Sequence, residues 1–417
     1  TVGIAPFLKL GRSQAEQCSI PSVPFVTVLH PMATAGRGMI AQQAREALPQ
    51  ITRALMTMPR RFINDEQGVG VEKFLDLAAD FAAVNELFHE RGWTDGLPII
   101  PPTEEIVAAM LSQSILPGDA NLGTLPPALN PMTVERLAIN AVMAGCVPEF
   151  FPLVLAAARA LLHDDLALYS MQTATNATIP LVIVNGPAAA NLCLNAGGNL
   201  FGSGNRANAT IGRAIRLILL NIGKEIPGAS DPATHGQPGK YTFCIAEAEG
   251  ESPWEPLHVE MGFAKERSTV SLIGAGGPQN LFTYGCKNGG EILDTFVGAL
   301  CSLGHNNILF PTGPLLVISP EHAQTLARDG FGKRDVKQYL FDQARIPLAH
   351  FAEGSQRGIR ERRARWFEVV GDQDRIGIAD HPEDIVIVVA GGAGIHSQFL
   401  PTAFSNKLVT AAISFKT

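Results

Sequence analysis

The chain has 417 residues, 46% of them apolar and 17% charged, with a formal net charge of −7. That length exceeds one ordinary core, so two or more domains are expected, and mild acidity without a long basic block argues against nucleic acid as a partner. No apolar run is long enough to span a membrane. The longest, residues 150–162, is interrupted by Arg159 and reads as a buried helix.

In the first sixty residues, Thr1–Ala5 and Pro24–Leu29 read as short apolar strands, the second ending at His30 and Pro31. A helix is expected over residues 38–58, with Ile40, Ala44, Leu48, Ile51 and Leu55 on one stripe. Two strands with helices between them look like the second half of an open doubly wound sheet. Such a half cannot close a core alone, and the chain opens on Thr1 without a methionine, so further sequence upstream is expected. An N-terminal threonine can be a nucleophile activated by its own amine, but here it opens an apolar strand. Residues 64–70 read as a linker. Residues 71–91 read as an amphipathic helix with Phe74, Leu75, Ala78, Ala82 and Leu87 facing inward. The expected fold class is α/β: residues 1–62 the truncated doubly wound domain, 63–92 linker and connecting helix, and 93–417 a larger mixed α/β domain.

Within that larger domain, the prolines of residues 94–102 forbid a helix until Thr103 caps the next one. Helices follow near residues 133–144 and 148–162, then a buried strand at Leu181–Asn185 ending in Asn-Gly-Pro. The segment 209–221 carries Ile211, Ala214, Ile215, Ile218, Leu219 and Ile222 at helical spacing. Strands are expected at Thr269–Ile273 and Leu315–Ile318, a helix from Pro320 capped by Ser319, and a last strand at Asp384–Ala390. Strand, glycine turn and helix recur near Leu181, Val270 and Ile385, a likeness too slight to define a repeat. The arginines 357, 360, 362, 363 and 365 are interleaved with Glu361 and read as a solvated helix face.

Four stretches carry a family resemblance: residues 94–103 (TDGLPIIPPT), 140–146 (NAVMAGC), 206–213 (RANATIGR) and 252–258 (SPWEPLH). Over roughly residues 90–400 the chain resembles the C-terminal region of the UGSC-type (seleno)protein family. Residues 1–60 are similar to the second half of that family's smaller domain. The resemblance implies thiol or selenol redox chemistry, centred on a Cys(or selenocysteine)-Gly-Ser-Cys motif expected just upstream of Thr1. No such motif stands in this chain, so the redox centre maps onto none of its residues.

Several constellations carry chemistry on their own terms. Residues 197–208 are glycine-rich and lead into a helix, so their amides can face one point beside a partially positive helix terminus. Gly202, Gly204, Arg206 and Asn208 are therefore candidates for holding an anionic substrate, Arg206 by forking a carboxylate or phosphate. A structural loop is the competing reading. A dinucleotide site is a third, its Gly-x-Gly-x-x-Ala match weakened by a strand that ends as far back as Asn185. Asn185, at that strand end, is a further candidate contact, as is Asp95 in its Thr-Asp-Gly turn.

Between His235 and His258 the chain gathers Lys240, Tyr241, Cys244, Glu247, Glu249 and Glu255 around Trp254. His258 is the candidate base, with Glu255 or Glu247 as its orienting carboxylate. In an alternative, His235, Glu247 and His258 hold one metal ion, without HExxH-like spacing to support it. Surface charge on a loop is the bland alternative. Cys146 lies between Gly145 and Pro148 at a helix start, where a thiol's pKa can fall, although an inert buried cysteine reads as well. Gly392, His396 and Ser397 follow the last buried strand, where α/β folds place ligands. His322 reads as a cap or surface residue.

The leading expectation is a thiol- or selenol-linked oxidoreductase acting on a small, anionic molecule, its cofactor unspecified. A hydrolase or lyase using His235, Glu247 and His258 is the second, and a non-catalytic ligand-binding subunit the third. The six scattered cysteines, without metal-ligand spacing, imply free thiols in a reducing, cytoplasmic setting. A homo-oligomer without nucleic-acid or membrane partners is expected.

Overall fold

The structure is a computed structural model. It describes residues 80–416 continuously and, before them, residues 2–4, 8, 11–12, 15, 23–29, 37–56 and 74–77. In the early part, β1 (Val2–Ile4) and β2 (Val26–Val28) pair in parallel, and α1 (Arg37–Met56) follows. Leu29 N donates to Gln43 of that helix. The linker expected at residues 64–70 lies outside the described residues.

The helix expected over 71–91 is shorter than its periodicity. It is α2 (Phe81–Glu90), started by the Asp80 carboxylate, which accepts from the Ala82 and Ala83 amides. A capping acid in mid-pattern ends the argument from periodicity. The buried stripe is consequently Val84 and Phe88, while Phe74, Leu75 and Ala82 are exposed.

From there the chain runs through α3 (Glu104–Leu111), the hairpin β3 (Asn121–Leu125) and β4 (Asn130–Thr133), α4 (Val134–Ala144), α5 (Phe151–Leu161) and α6 (Leu168–Gln172). Next come β5 (Ile179–Asn185), α7 (Pro187–Asn191), α8 (Arg206–Asn221), β6 (Cys244–Ala246), α9 (Leu257–Glu260), β7 (Thr269–Ala275) and β8 (Gln279–Phe282). The remainder is α10 (Gly289–Leu300), β9 (Leu315–Ile318), α11 (Pro320–Arg328), α12 (Lys333–Gln343), β10 (Arg345–Pro347), α13 (Glu353–Arg362), α14 (Ala364–Val370), β11 (Arg375–Gly377), β12 (Val386–Val389), β13 (His396–Leu400) and β14 (Val409–Ala412). Thr103, Thr133 and Ser319 cap α3, α4 and α11 through their side chains. The fold is α/β.

Two four-stranded sheets form the core, in the orders β14-β7-β5-β6 and β12-β9-β13-β8. Each is built the same way. A central strand (β5 or β9) pairs in parallel with a later strand reached through helices (β6 or β12), and antiparallel with the next (β7 or β13). Each unit then gives its last strand to the other sheet: β8 pairs with β13, and β14 with β7. Residues 179–412 therefore hold two units of one topology with exchanged edge strands. The segments PLVIVNGP at 180–187 and PLLVISP at 314–320 are the corresponding strand ends. The recurrences read at Val270 and Ile385 fall inside the units rather than at their starts.

Both sheets bury both faces, which is why β5 and β9 are apolar runs without alternation. One face of the first sheet packs with α4, α5 and α8, and one face of the second with α10, α11 and α12. The remaining faces meet each other through Leu181, Ile183, Ile245, Leu315, Val317 and Val388. The result is four layers, helix-sheet-sheet-helix. A smaller cluster around Trp366 and Ile359 closes one flank. There Arg363 departs from the solvated face expected of the arginine cluster. It is buried, pairs with Asp380 at 2.8 Å and donates to the Asn307 carbonyl at 2.7 Å. No helix among the described residues is long and apolar enough to cross a membrane.

Candidate functional site

The carboxyl ends of β5, β6, β9 and β12 lie at one end of the sandwich, where the two units touch. Ala248 N donates to Val389 O at 2.8 Å, Gly391 N to Ala196 O at 2.8 Å, and Ala246 N to Asn195 O at 3.3 Å. Gly392 crosses Gly198 so closely that a Cβ on Gly392 would stand 2.9 Å from the Gly198 Cα. The glycine loop at 197–204, the turn at 391–394 and the segment from Glu247 to His258 thus converge. Strand carboxyl ends are where open α/β folds bind ligands.

At the centre stands a polar cluster. Glu247 is buried and accepts from Asn185 Nδ2 at 2.6 Å, Leu257 N at 2.8 Å and Val389 N at 3.4 Å. Burial raises its pKa, opposed by the Lys333 ammonium and these three donors. Glu249 accepts from Asn185 Nδ2 at 3.0 Å and from Gly186 N at 2.6 Å. Its Oε1 lies 3.8 Å from His258 Nδ1, with the carboxylate side chain 22% exposed and the imidazole 0%. His258 Nε2 lies 3.2 Å from Lys265 O. A carbonyl only accepts, so Nε2 carries the proton and Nδ1 faces the carboxylate. Lys333 and Lys337 of α12 pair with Glu260, and Lys333 also donates to Glu255 O at 2.7 Å. These contacts clamp the 255–260 segment onto the second unit.

The expected partner of His258 is thereby corrected. Glu255 is exposed and Glu247 is occupied by three N–H groups, while Glu249, two residues further along, faces the ring. His235 is separated from this cluster. Its neighbours Thr234 and Gln237 bond to Thr175, Ala177 and Ala275 at the amino end of β5. A seven-residue strand spans about 20 Å, too far for His235 to share a metal with Glu247 and His258. Among the described residues no three His, Cys, Asp or Glu side chains gather as metal ligands.

Other candidates have partners of their own. Arg206 donates to Gly145 O at 3.2 Å, capping α4 rather than facing the glycine loop. Asn208 is buried and bridges both backbone groups of Asn195. Gly202 lies in a turn closed by its amide on Asn199 O, and Gly204 is exposed with a positive φ. Asp95 forms a two-pronged pair with Arg213 of α8, both contacts 2.8 Å, which pins the proline-rich segment. Cys146 is buried, and desolvation pushes its thiol up to about 12, against the lowered value expected at a helix start. Burial likewise raises Cys244. Among the described cysteines Cys193 is the exposed one.

At the corresponding end of the second unit, His396 is exposed and stacks on Phe282 with centroids 4.7 Å apart. Ser397 is buried. Its Oγ accepts from Ser319 N at 3.0 Å and meets His322 Nδ1 at 2.7 Å, and His322 Nε2 meets Thr283 Oγ1 at 2.6 Å. His322 is thus a core residue, and burial lowers its pKa to about 4. Glu249, Thr269, Thr283 and His322 were passed over as site residues. The signal for Glu249 was its spacing of two from Glu247; the others needed the strand pairing.

No family model, no curated protein and no solved structure matches the chain. Fold and site define it as an α/β protein of two exchanged units with a carboxylate-histidine cluster at their junction.

Proposed function

We propose that the chain is an enzyme that performs acid–base chemistry on a small polar molecule at the carboxyl ends of β5, β6 and β12. Glu249 exchanges the proton with the substrate, and His258, packed beside it, tunes that carboxylate. One observation carries the reading: a partly exposed carboxylate backed at 3.8 Å by a buried imidazole whose other nitrogen is anchored on a carbonyl. A base must be reachable by the substrate, and here it is the carboxylate rather than the ring that meets solvent.

The test is hydrogen exchange in deuterium oxide, with a panel of small amino, hydroxy and keto acids followed by NMR. Glu249→Gln should lower exchange about a hundredfold or more, the scale of a lost general base. His258→Gln should displace the pH–rate profile, which a purely structural residue would not do. Exchange unaffected by Glu249→Gln refutes the assignment.

Thiol- or selenol-linked redox chemistry, implied by the family resemblance, is the second reading. The observation on its side is Cys193, exposed two residues before Asn195, whose carbonyl accepts from Ala246 beside Glu247. Loss of activity on Cys193→Ser with Glu249→Gln still active would select it.

A further inference from the structure

Three buried polar atoms around Glu249 have no hydrogen-bond partner within the protein: Asn185 Oδ1, Thr269 Oγ1 and His258 Nδ1. Buried polar atoms are satisfied as a rule, so a group of three orphans at a strand end calls for an external partner. Asn185 and Thr269 face each other across the β5–β7 pair, which sets their side chains on one face about 5 Å apart. The amide orientation is forced. Asn185 Nδ2 spends its hydrogens on Glu247 and Glu249, and a flipped amide would set its oxygen against two carboxylates. With Nε2 donating to Lys265 O, the tautomer this contact selects leaves a lone pair at Nδ1.

The geometry points to this end of β5 as a binding site for a primary ammonium group, received by Asn185 Oδ1, His258 Nδ1, Thr269 Oγ1 and the Glu249 carboxylate. The surroundings offer acceptors and negative charge, so an anion is repelled. A water molecule brings two donors and no charge; an ammonium brings three N–H donors and the cation that Glu249 matches. Of the His, Cys, Asp and Glu side chains, a metal ion would find His258 and Glu249 open here, since Glu247 already accepts from Asn185, Leu257 and Val389, and among the described residues no three such side chains gather. The partial exposure of Glu249 is the way in. The inference deepens the proposed function by making the substrate an amine, and it rests on that reading only in setting the substrate beside Glu249.

The test needs no turnover. The full chain, labelled with 15N at histidine, is titrated with methylammonium chloride against sodium chloride at constant ionic strength, with tetramethylammonium, which has no N–H donor, as control. A saturable change at His258 Nδ1 with methylammonium and none with tetramethylammonium is expected. Glu249→Gln should weaken binding about tenfold or more, and Thr269→Val, which keeps the side-chain shape, about threefold. No saturable change, or an equal one with tetramethylammonium, overturns the inference; a response to neither ion leaves water as the occupant. If Glu249→Gln does not fold, unchanged affinity in Thr269→Val overturns it alone. Loss of the methylammonium response with proton exchange intact refutes this inference and spares the proposed function; the reverse result refutes the proposed function alone.

Discussion

The two units share one topology but finish their central strands differently. At the end of β9, Ser319, Ser397, His322 and Thr283 form a closed chain in which each side chain finds a partner. At the end of β5, Asn185, Thr269 and His258 each keep a buried polar atom unpaired, next to a carboxylate that reaches solvent. A closed polar chain locks a fold, whereas an open one carries a cost that a bound molecule, water included, repays. On the proposed reading, two copies of one architecture are put to different uses, one to holding the core and one to holding a molecule.

The largest contrast should come from deleting each unit's histidine. His322→Ala opens a cavity and breaks two hydrogen bonds, and should cost about 4 kcal/mol by urea denaturation. His258→Ala opens a similar cavity but breaks one bond, so its cost should be roughly 1–2 kcal/mol less. Equal losses would erase the distinction between a locked end and an open one.

Acid should act on the locked side. Burial holds His322 and His305 down to about 4, below the ordinary value of 6.5. Between those values the unfolded chain binds protons that the folded chain refuses, so stability should fall as pH drops from 6.5 towards 4. Glu247 runs the opposite way, its raised pKa making the folded chain the better proton binder. Denaturation midpoints across this range should decline in the native chain and decline less in His322→Gln. A variant with the same slope would show that the closed chain does not exclude the proton.

The smallest effect concerns Arg206, which the sequence cast as an anion fork. Its guanidinium is exposed and caps α4 through Gly145 O, so Arg206→Ala should cost under about 1 kcal/mol of stability. Substrate turnover should stay near the native rate. A large drop in activity at unchanged stability would return the arginine to the binding site.

Much of this fold could be read from local signals. The apolar run ending at Asn185, the capping residues Thr103, Thr133 and Ser319, and the spacing of Ile211 to Leu219 each act within a few residues, and the corresponding elements formed. The strand exchange could not be read, because β8 and β14 choose partners more than a hundred residues away. Arg363 was misjudged for a related reason: Asp380, which makes its burial tolerable, sits in another element. The three site segments were each legible from their glycines and polar residues. The roles within them were not, since Glu249 rather than Glu255 faces His258 only through the bend after β6.

The most direct measurement makes one substitution at both ends. Thr283 spends its hydroxyl on His322, and Thr269 has no partner for its own. Thr283→Val should lose about 1–2 kcal/mol in urea denaturation, while Thr269→Val should be neutral or slightly stabilising and should weaken the response of His258 to methylammonium. Equal destabilisation at both threonines, with the methylammonium response unchanged, would contradict the claim that the β5 end is held open for a ligand.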